Sequence, residues 1–170
     1  MRNHNAQELD KLVKKYNAFR SKLPNVLAIT AVNFFKRNFD REGFVDKPFK
    51  RWPGVSNPRD RSRKVLTKSG RLRRGLKKFQ ATRNRVVVGV GSEIKYAAIQ
   101  NNGGTIPITP KMRRYFWAMY KKTGAEYYKG LALTKKKHLD IPKRQFIGDS
   151  KAILVTIDRT VVRELKNALK

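Results

Sequence analysis

The sequence contains no cysteine and only two histidines among its 170 residues. The absence of cysteine excludes disulfide bonds, thiol catalysis and thiolate metal ligands. His4 and His138 lie far apart in polar stretches, so neither has a partner at the spacing that metal sites require. We therefore expect this chain to bind no metal and to use no cofactor.

Acidic residues are also scarce, with 12 Asp and Glu against 41 Lys and Arg. Acid–base catalysis and nuclease metal sites both need carboxylates brought together, but here the acids are scattered along the chain. The phosphate-binding loop, the Gly-x-Ser-x-Gly elbow and the His-Glu-x-x-His motif are absent. The sequence therefore predicts a protein that is not an enzyme.

Long apolar runs are missing as well, since no stretch approaches 18 consecutive apolar residues. We therefore expect no transmembrane helix and no membrane partner. The first residues lead into a charged segment, which is not typical of a signal peptide. With 39% hydrophobic residues and nine Phe, the chain has enough apolar material for one core, and its length favours a single domain over 1–170.

The net charge of +29 is concentrated in one part of the chain. Between Lys47 and Arg85 there are fifteen basic residues and one acid, Asp60. Such an excess repels itself in a compact body and points to an anionic partner, although a solvated basic face is the ordinary alternative. The residues expected to contact this partner, or DNA, are Lys47, Lys50, Arg51, Arg59, Arg61, Arg63, Lys64, Lys68, Arg71, Arg73 and Arg74.

Apolar periodicity predicts helices at both ends of the chain. One helix is expected over 6–23 and a second from Pro24 to about residue 41, because proline suits the first turn of a helix. The face of the 24–41 helix is broad enough to pack on a sheet and on another subunit. Ser150 is a good cap for a last helix to about Leu169, although alternation over 152–157 leaves a strand start open.

The middle of the chain reads as β-structure with short helices over 69–75 and 96–100 and one longer helix. Strands are expected over 76–82 and 85–90, joined by a turn at Arg83 and Asn84, and a short strand over 131–133. A helix is expected over 111–122, where the helical spacing of the aromatic residues favours core packing over base stacking. The predicted fold class is α+β, with N-terminal helices and a C-terminal helix packed on one small antiparallel sheet, and a long basic loop over 43–66.

Four motifs, in this order and spacing, resemble the phage virion morphogenesis family, also called tail completion proteins, of Mu-like phages and prophages. They are Asn-Phe-x-Arg-x-Gly-Phe at 38–44 followed by Trp52, Leu-Thr-Lys-Ser-Gly-Arg-Leu at 66–72, Tyr-Ala-Ala-Ile-Gln-Asn-Asn-Gly-Gly at 96–104 and Ile-Pro-Lys-Arg-Gln-Phe-Ile-Gly at 141–148. The resemblance covers residues 34–150. Gln100 stands where the family often has histidine, and 109–137 is a probable insertion relative to shorter members.

The resemblance implies a structural protein of the virion that acts in tail completion or in joining head to tail at the neck, as part of a ring. The implied partners are other tail, neck or connector proteins, further copies of the chain and DNA in the tail channel. The implied location is the virion, assembled in the cytoplasm of the bacterial host. The motif residues expected to be structural are Phe39, Gly43, Phe44, Trp52, Gly70, Leu72, Tyr96, Gly103, Gly104, Pro142, Arg144 and Phe146.

Three alternatives stay open at the level of the sequence. The whole chain could be a basic nucleic-acid-binding protein without enzymatic activity, since cations interleaved with aromatic residues suit phosphate neutralisation and stacking. Arg144 is expected either to order its own loop through backbone carbonyls or to bind a partner. Phe44, Phe49 and Trp52 are expected to fix the 43–66 loop to the core, in contrast to a mobile basic arm.

Overall fold

A computed structural model describes residues 2–170 of the chain, with side chains from residue 5 onward. Within these residues the helices are α1 (Arg2–Arg41), α2 (Arg71–Arg74), α3 (Ala97–Asn102), α4 (Pro110–Thr123), α5 (Glu126–Leu133) and α6 (Lys151–Leu169). The strands are β1 (Gly43–Phe44), β2 (Lys50–Arg51), β3 (Leu76–Thr82), β4 (Arg85–Val90), β5 (Gly104–Pro107) and β6 (His138–Ile141). The chain is therefore α+β, as predicted.

Within residues 2–170 the strands form three separate two-stranded antiparallel sheets, so the prediction of one sheet is wrong. β1 pairs with β2, β3 with β4, and β5 with β6. The β3–β4 hairpin turns at Arg83 and Asn84, within the bounds predicted from its β-branched residues, and it packs on α1. A two-stranded hairpin is marginal by itself, so it depends on the helix beneath it.

The two predicted N-terminal helices are one continuous helix of 40 residues, which corrects the expected break at Pro24. Proline inside a helix removes one backbone hydrogen bond and costs about 3 kcal/mol. The helix nevertheless continues, because packing holds the residues that follow. Lys78 of β3 bonds to Asn25 through its Nζ at 2.7 Å, and Ala28, Ala31 and later residues of α1 are buried.

The core lies between the C-terminal half of α1, the start of α6, the β3–β4 hairpin and the 43–55 segment. Phe39 is completely buried and lies against Trp52 and Phe146, with ring centroids 5.4 and 5.5 Å away. Leu72 and Ile153 belong to the same cluster. Burying one such side chain contributes about 1.5–3 kcal/mol, so these contacts hold four distant segments together.

Helix α6 begins where the sequence predicted, and the alternative strand at 152–157 does not form. The Ser150 hydroxyl accepts hydrogen bonds from the backbone N–H groups of Ala152 and Ile153, at 3.1 and 3.3 Å. The same hydroxyl donates to the carbonyl of Val45 at 2.9 Å, while Asp46 accepts from the backbone N–H of Lys151. The helix start is therefore fixed beside the end of α1.

The structure of the 126–141 region differs from the sequence prediction in two places. The apolar run over 131–133 ends helix α5 instead of forming a strand, and Ala132 is buried there. A run of three apolar residues is too short to distinguish the two structures. Strand β6 was missed, although its residues alternate between exposed and half-buried, and it pairs antiparallel with β5.

The 43–66 segment is more ordered than a simple loop. It contains β1, β2 and a 3-10 turn over Pro58–Asp60. Phe44 and Trp52 are buried and fix the segment to the core as expected, whereas Phe49 is 47% exposed and does not. No helix of the part of the chain that the structure describes is long and apolar enough to cross a membrane.

Candidate assembly surfaces

The 142–148 connector between β6 and α6 is clasped to the 52–54 segment by buried hydrogen bonds. The Arg144 guanidinium donates to the carbonyls of Pro53 and Gly54 through Nε and Nη2, at 2.9 and 2.6 Å. Trp52 donates its indole N–H to the carbonyl of Gln145 at 2.8 Å. Arg144 therefore orders a loop through backbone carbonyls, one of its two expected roles, and its burial lowers the pKa of its guanidinium.

Two asparagines that were not predicted as structural residues bond to the same connector. Asn38, fully buried, donates to the carbonyl of Phe146 at 2.9 Å and accepts the backbone N–H of Val45 at 3.0 Å. The Asn101 side-chain oxygen accepts the backbone N–H groups of Phe146 and Ile147. The signal for Asn38 was present, because it is a polar residue among the apolar residues that α1 buries.

The predicted motif residues therefore converge, and most of them shape the fold. Phe39, Phe44, Trp52, Leu72 and Phe146 are buried in one cluster. Among the remaining members apart from Arg144, Gly43 is buried in β1, whereas the others lie at turns or are partly exposed: Gly70, Gly103, Gly104, Tyr96 and Pro142.

The motif glycines meet backbone requirements. Gly70, Gly103 and Gly104 adopt φ of 63°, 75° and 148°, which only glycine adopts readily. A Cβ at Gly103 would also lie 2.9 Å from the backbone nitrogen of Lys143. At Gly43, whose position is crowded, a Cβ would lie 2.3 Å from the ring of Phe49. Turns and close approach of the backbone account for these residues.

Tyr96 and Pro142 instead line cavities on either side of Arg144. Tyr96 is 41% exposed and borders a cavity of about 290 Å³ together with Gln100. Pro142 borders a larger one of about 640 Å³ beneath α4 and α5. The Gln100 side-chain oxygen is buried and accepts no hydrogen bond from the residues the structure describes. Gln100 thus borders a cavity that is lined by residues of three of the motifs.

Most of the predicted basic residues are held by partners within the chain. Arg63 and Lys68 form ion pairs with Asp60, at 2.9 and 3.8 Å, and Arg73 pairs with Asp40 at 3.1 Å. The hydrogen bond from Arg63 lowers the pKa of Asp60. Four more donate to backbone carbonyls, of Thr123, Asp40, Glu93 and Ser69 respectively: Arg59, Lys64, Arg71 and Arg74.

The other four predicted basic residues extend into solvent. The side chains of Lys47, Lys50, Arg51 and Arg61 are exposed and make neither ion pairs nor hydrogen bonds with the described residues. The first three lie within two residues of the exposed Phe49 in sequence, on the β1–β2 hairpin. This hairpin carries three cations and one exposed apolar side chain. Its cations and Arg61 are the predicted basic residues that make no ion pair or side-chain hydrogen bond with the described residues.

The N-terminal half of α1 extends beyond the folded body as an arm, defined here as residues 5–19. Its apolar residues, which the sequence pattern assigned to a single face, lie in solvent: Leu9 is 61%, Leu12 46%, Val13 49% and Tyr16 45% exposed. At 1.5 Å per residue the arm is about 22 Å long. The stripe along the arm is an apolar surface that no described part of the same chain covers.

Comparison with known families explains why the motifs occur in this order. The model of the phage virion morphogenesis family matches residues 4–166, which includes the arm, the 142–148 connector and most of α6. Comparison with curated proteins and with solved structures found no match. The match covers nearly the whole chain, including every segment that Asn38, Asn101 and Arg144 join. This chain therefore belongs to the phage virion morphogenesis family.

Proposed function

We propose that this protein is a structural component that completes the tail or neck of the virion and helps to join tail to head, as one subunit of a ring. Membership of the family supports a role in virion assembly. The observation that carries the finer proposal is the uncovered apolar stripe of the arm. Large exposed apolar side chains in a row are costly for a monomer and typical of an assembly contact.

The spacing of the stripe fits a helix-on-helix contact. Leu9, Leu12, Tyr16, Phe19 and Leu23 follow each other at alternating three- and four-residue steps, which is the seam of a coiled coil. We infer that this seam packs on a different surface of a second copy, because such a contact can be repeated from subunit to subunit around a ring.

Helix α6 offers such a surface on the neighbouring copy. Its inner face packs on α1, while its outer face exposes Leu154 and Val162, with Asp158 between them at helical spacing. An arm laid along this row would cover its own apolar residues and bring a lysine near the carboxylate. Because the arm and α6 are different parts of one chain, this contact is heterologous and closes into a ring when the rotation permits.

The basic residues of 47–74 are proposed to meet an anionic partner in the assembled particle. Lys47, Lys50, Arg51 and Arg61 carry this contact, since their side chains make no ion pair with described residues. The partner is DNA in transit through the ring or an acidic surface on the next ring. The protein assembles in the host cytoplasm as a single domain over 1–170, in which the 109–137 helical pair is an insertion.

Light scattering on purified protein, alone and with tail or connector proteins, tests this proposal. The wild-type chain is expected to form a ring or a partner-dependent complex, and Leu9→Ser with Leu12→Ser is expected to abolish it. Leu133→Ser is the matched control, because Leu133 is 59% exposed on α5, outside the arm. A wild-type protein that stays monomeric with every partner, or a double variant that assembles normally, would overturn the proposal.

A further inference from the structure

Helix α4 presents a basic and aromatic face to solvent that the proposed function does not use. The helix contains no acidic residue. Its inner side holds Phe116, which is 7% exposed. Its outer side exposes four cations and two aromatic rings: Lys111, Arg114, Lys121, Lys122, Tyr115 and Trp117.

The four outer cations have no partner among the described residues, whereas their neighbour Arg113 does. Arg113 donates to the carbonyls of Ala132 and Thr134, both at 2.8 Å, and thereby ties α4 to the end of α5. Lys111 and Arg114, by contrast, lie near the N-terminus of the helix, where the helix dipole disfavours positive charge. Internal stability therefore does not account for these two cations.

The exposure of two aromatic rings on the same helix also indicates a binding surface. The helical spacing predicted core packing for residues 115–120, and this is confirmed for Phe116 but wrong for Tyr115, which is 55% exposed, and Trp117, which is 37% exposed. Flat rings set among cations supply contacts with sugars beside phosphate neutralisation. DNA can contact both the cations and the aromatic rings of this face. An acidic protein surface would complement only its charge.

The dimensions of the face fit a DNA strand. Lys111 and Lys122 are eleven residues apart, which is about 16 Å along the helix axis. One strand of duplex DNA carries a phosphate about every 3.4 Å along its axis, and the major groove, about 12 Å wide, admits a helix. We propose that the outer face of α4 binds DNA through its phosphates, with Tyr115 and Trp117 against the sugars or bases. This contact holds whether or not the arm builds a ring.

The test compares two triple variants of equal net charge by fluorescence anisotropy with a labelled 20-base-pair duplex. The first carries Lys111→Gln, Lys121→Gln and Lys122→Gln on α4. The control carries Lys14→Gln, Lys15→Gln and Lys22→Gln on α1, where the three lysines are exposed and make no ion pair with described residues. The α4 variant is expected to lower the slope of log affinity against log salt by about 2.7, the release expected for three phosphates.

The control is expected to change the slope by less than half as much. Trp117 gives a second readout, because duplex binding is expected to alter tryptophan fluorescence in the wild type and not in Trp117→Phe. The proposal is overturned if both triple variants weaken binding equally, since affinity would then follow net charge alone. It is also overturned if the wild type does not bind at about 50 mM salt, or binds without any change in Trp117 fluorescence.

Discussion

At the scale of single residues, Asn38 shows how a polar side chain can hold a fold together. It has no exposed surface and joins the carbonyl of Phe146 to the backbone N–H of Val45. Arg144 and Asn101 likewise hold neighbouring segments of the chain together through hydrogen bonds to backbone groups. The Asn38–Phe146 and Arg144–Pro53 contacts link residues 108 and 91 positions apart, and Asn101 lies 45 positions from Phe146. Periodicity within a single segment could therefore not reveal them.

Replacing Asn38 with alanine should be strongly destabilising. The change leaves a buried N–H and a buried carbonyl without partners, and each such group costs about 1–3 kcal/mol. We expect the free energy of unfolding in urea to fall by about 2–4 kcal/mol. Asn17→Ala, on the exposed arm, is the control and should change it by less than about 0.5 kcal/mol. Equal effects of the two changes would contradict the role given to Asn38.

Asp60 should make the fold sensitive to acid. Arg63 holds the pKa of Asp60 below its ordinary value of 3.8, so the folded state binds this proton less tightly than the unfolded state. Its stabilising contribution is therefore present above the ordinary pKa and is lost as the pH falls through the lowered one. Melting temperatures between pH 2 and 6 should decline less steeply for Asp60→Asn than for wild type. Asp10→Asn, on the arm, should retain the wild-type profile.

At the scale of elements, β3, β4, α4 and α6 could be predicted from sequence because their signals are local. Val86, Val87 and Val88 favour a strand, and Ser150 caps α6. The continuous α1 could not be predicted, because packing after Pro24 outweighs the hydrogen bond that proline removes. The exposure of the arm could not be predicted either, because an amphipathic pattern has the same form whether its partner lies in the same chain or in another.

The arm and the body of α1 should respond differently to the same kind of change. Leu9→Ala should alter the free energy of unfolding by less than about 0.5 kcal/mol, because Leu9 contacts solvent. Phe35→Ala, in the buried half of the helix, should cost about 3–5 kcal/mol. Denaturant titration at a concentration where the protein is monomeric measures both. A large loss for Leu9→Ala there would show that the arm folds back onto its own chain.

At the scale of the whole molecule, the net charge of +29 works against assembly. Each added subunit increases the repulsion in a ring. Fifteen of the basic residues lie between Lys47 and Arg85, and internal ion pairs neutralise only some of them. In the proposed ring, the charge is therefore expected to control the order of assembly, with closure once an anionic partner is present.

Salt and polyanions should then promote self-association. Light scattering at about 50 mM salt should give a smaller mean mass than at about 500 mM, because screening shortens the reach of the repulsion. Short duplex DNA at low salt should restore the larger mass. A closed ring that forms equally well without partner at low salt would show that the charge does not order assembly.

The role in joining head to tail is tested most directly in the phage or prophage that encodes the chain. With the gene deleted, electron microscopy of the lysate should show filled heads and separate tails in place of joined particles. Supplying the wild-type chain should restore joining, and supplying Leu133→Ser should do so equally. The chain with Leu9→Ser and Leu12→Ser should not restore it. Joined, infectious particles at the normal number in the deletion would contradict the role proposed for this protein.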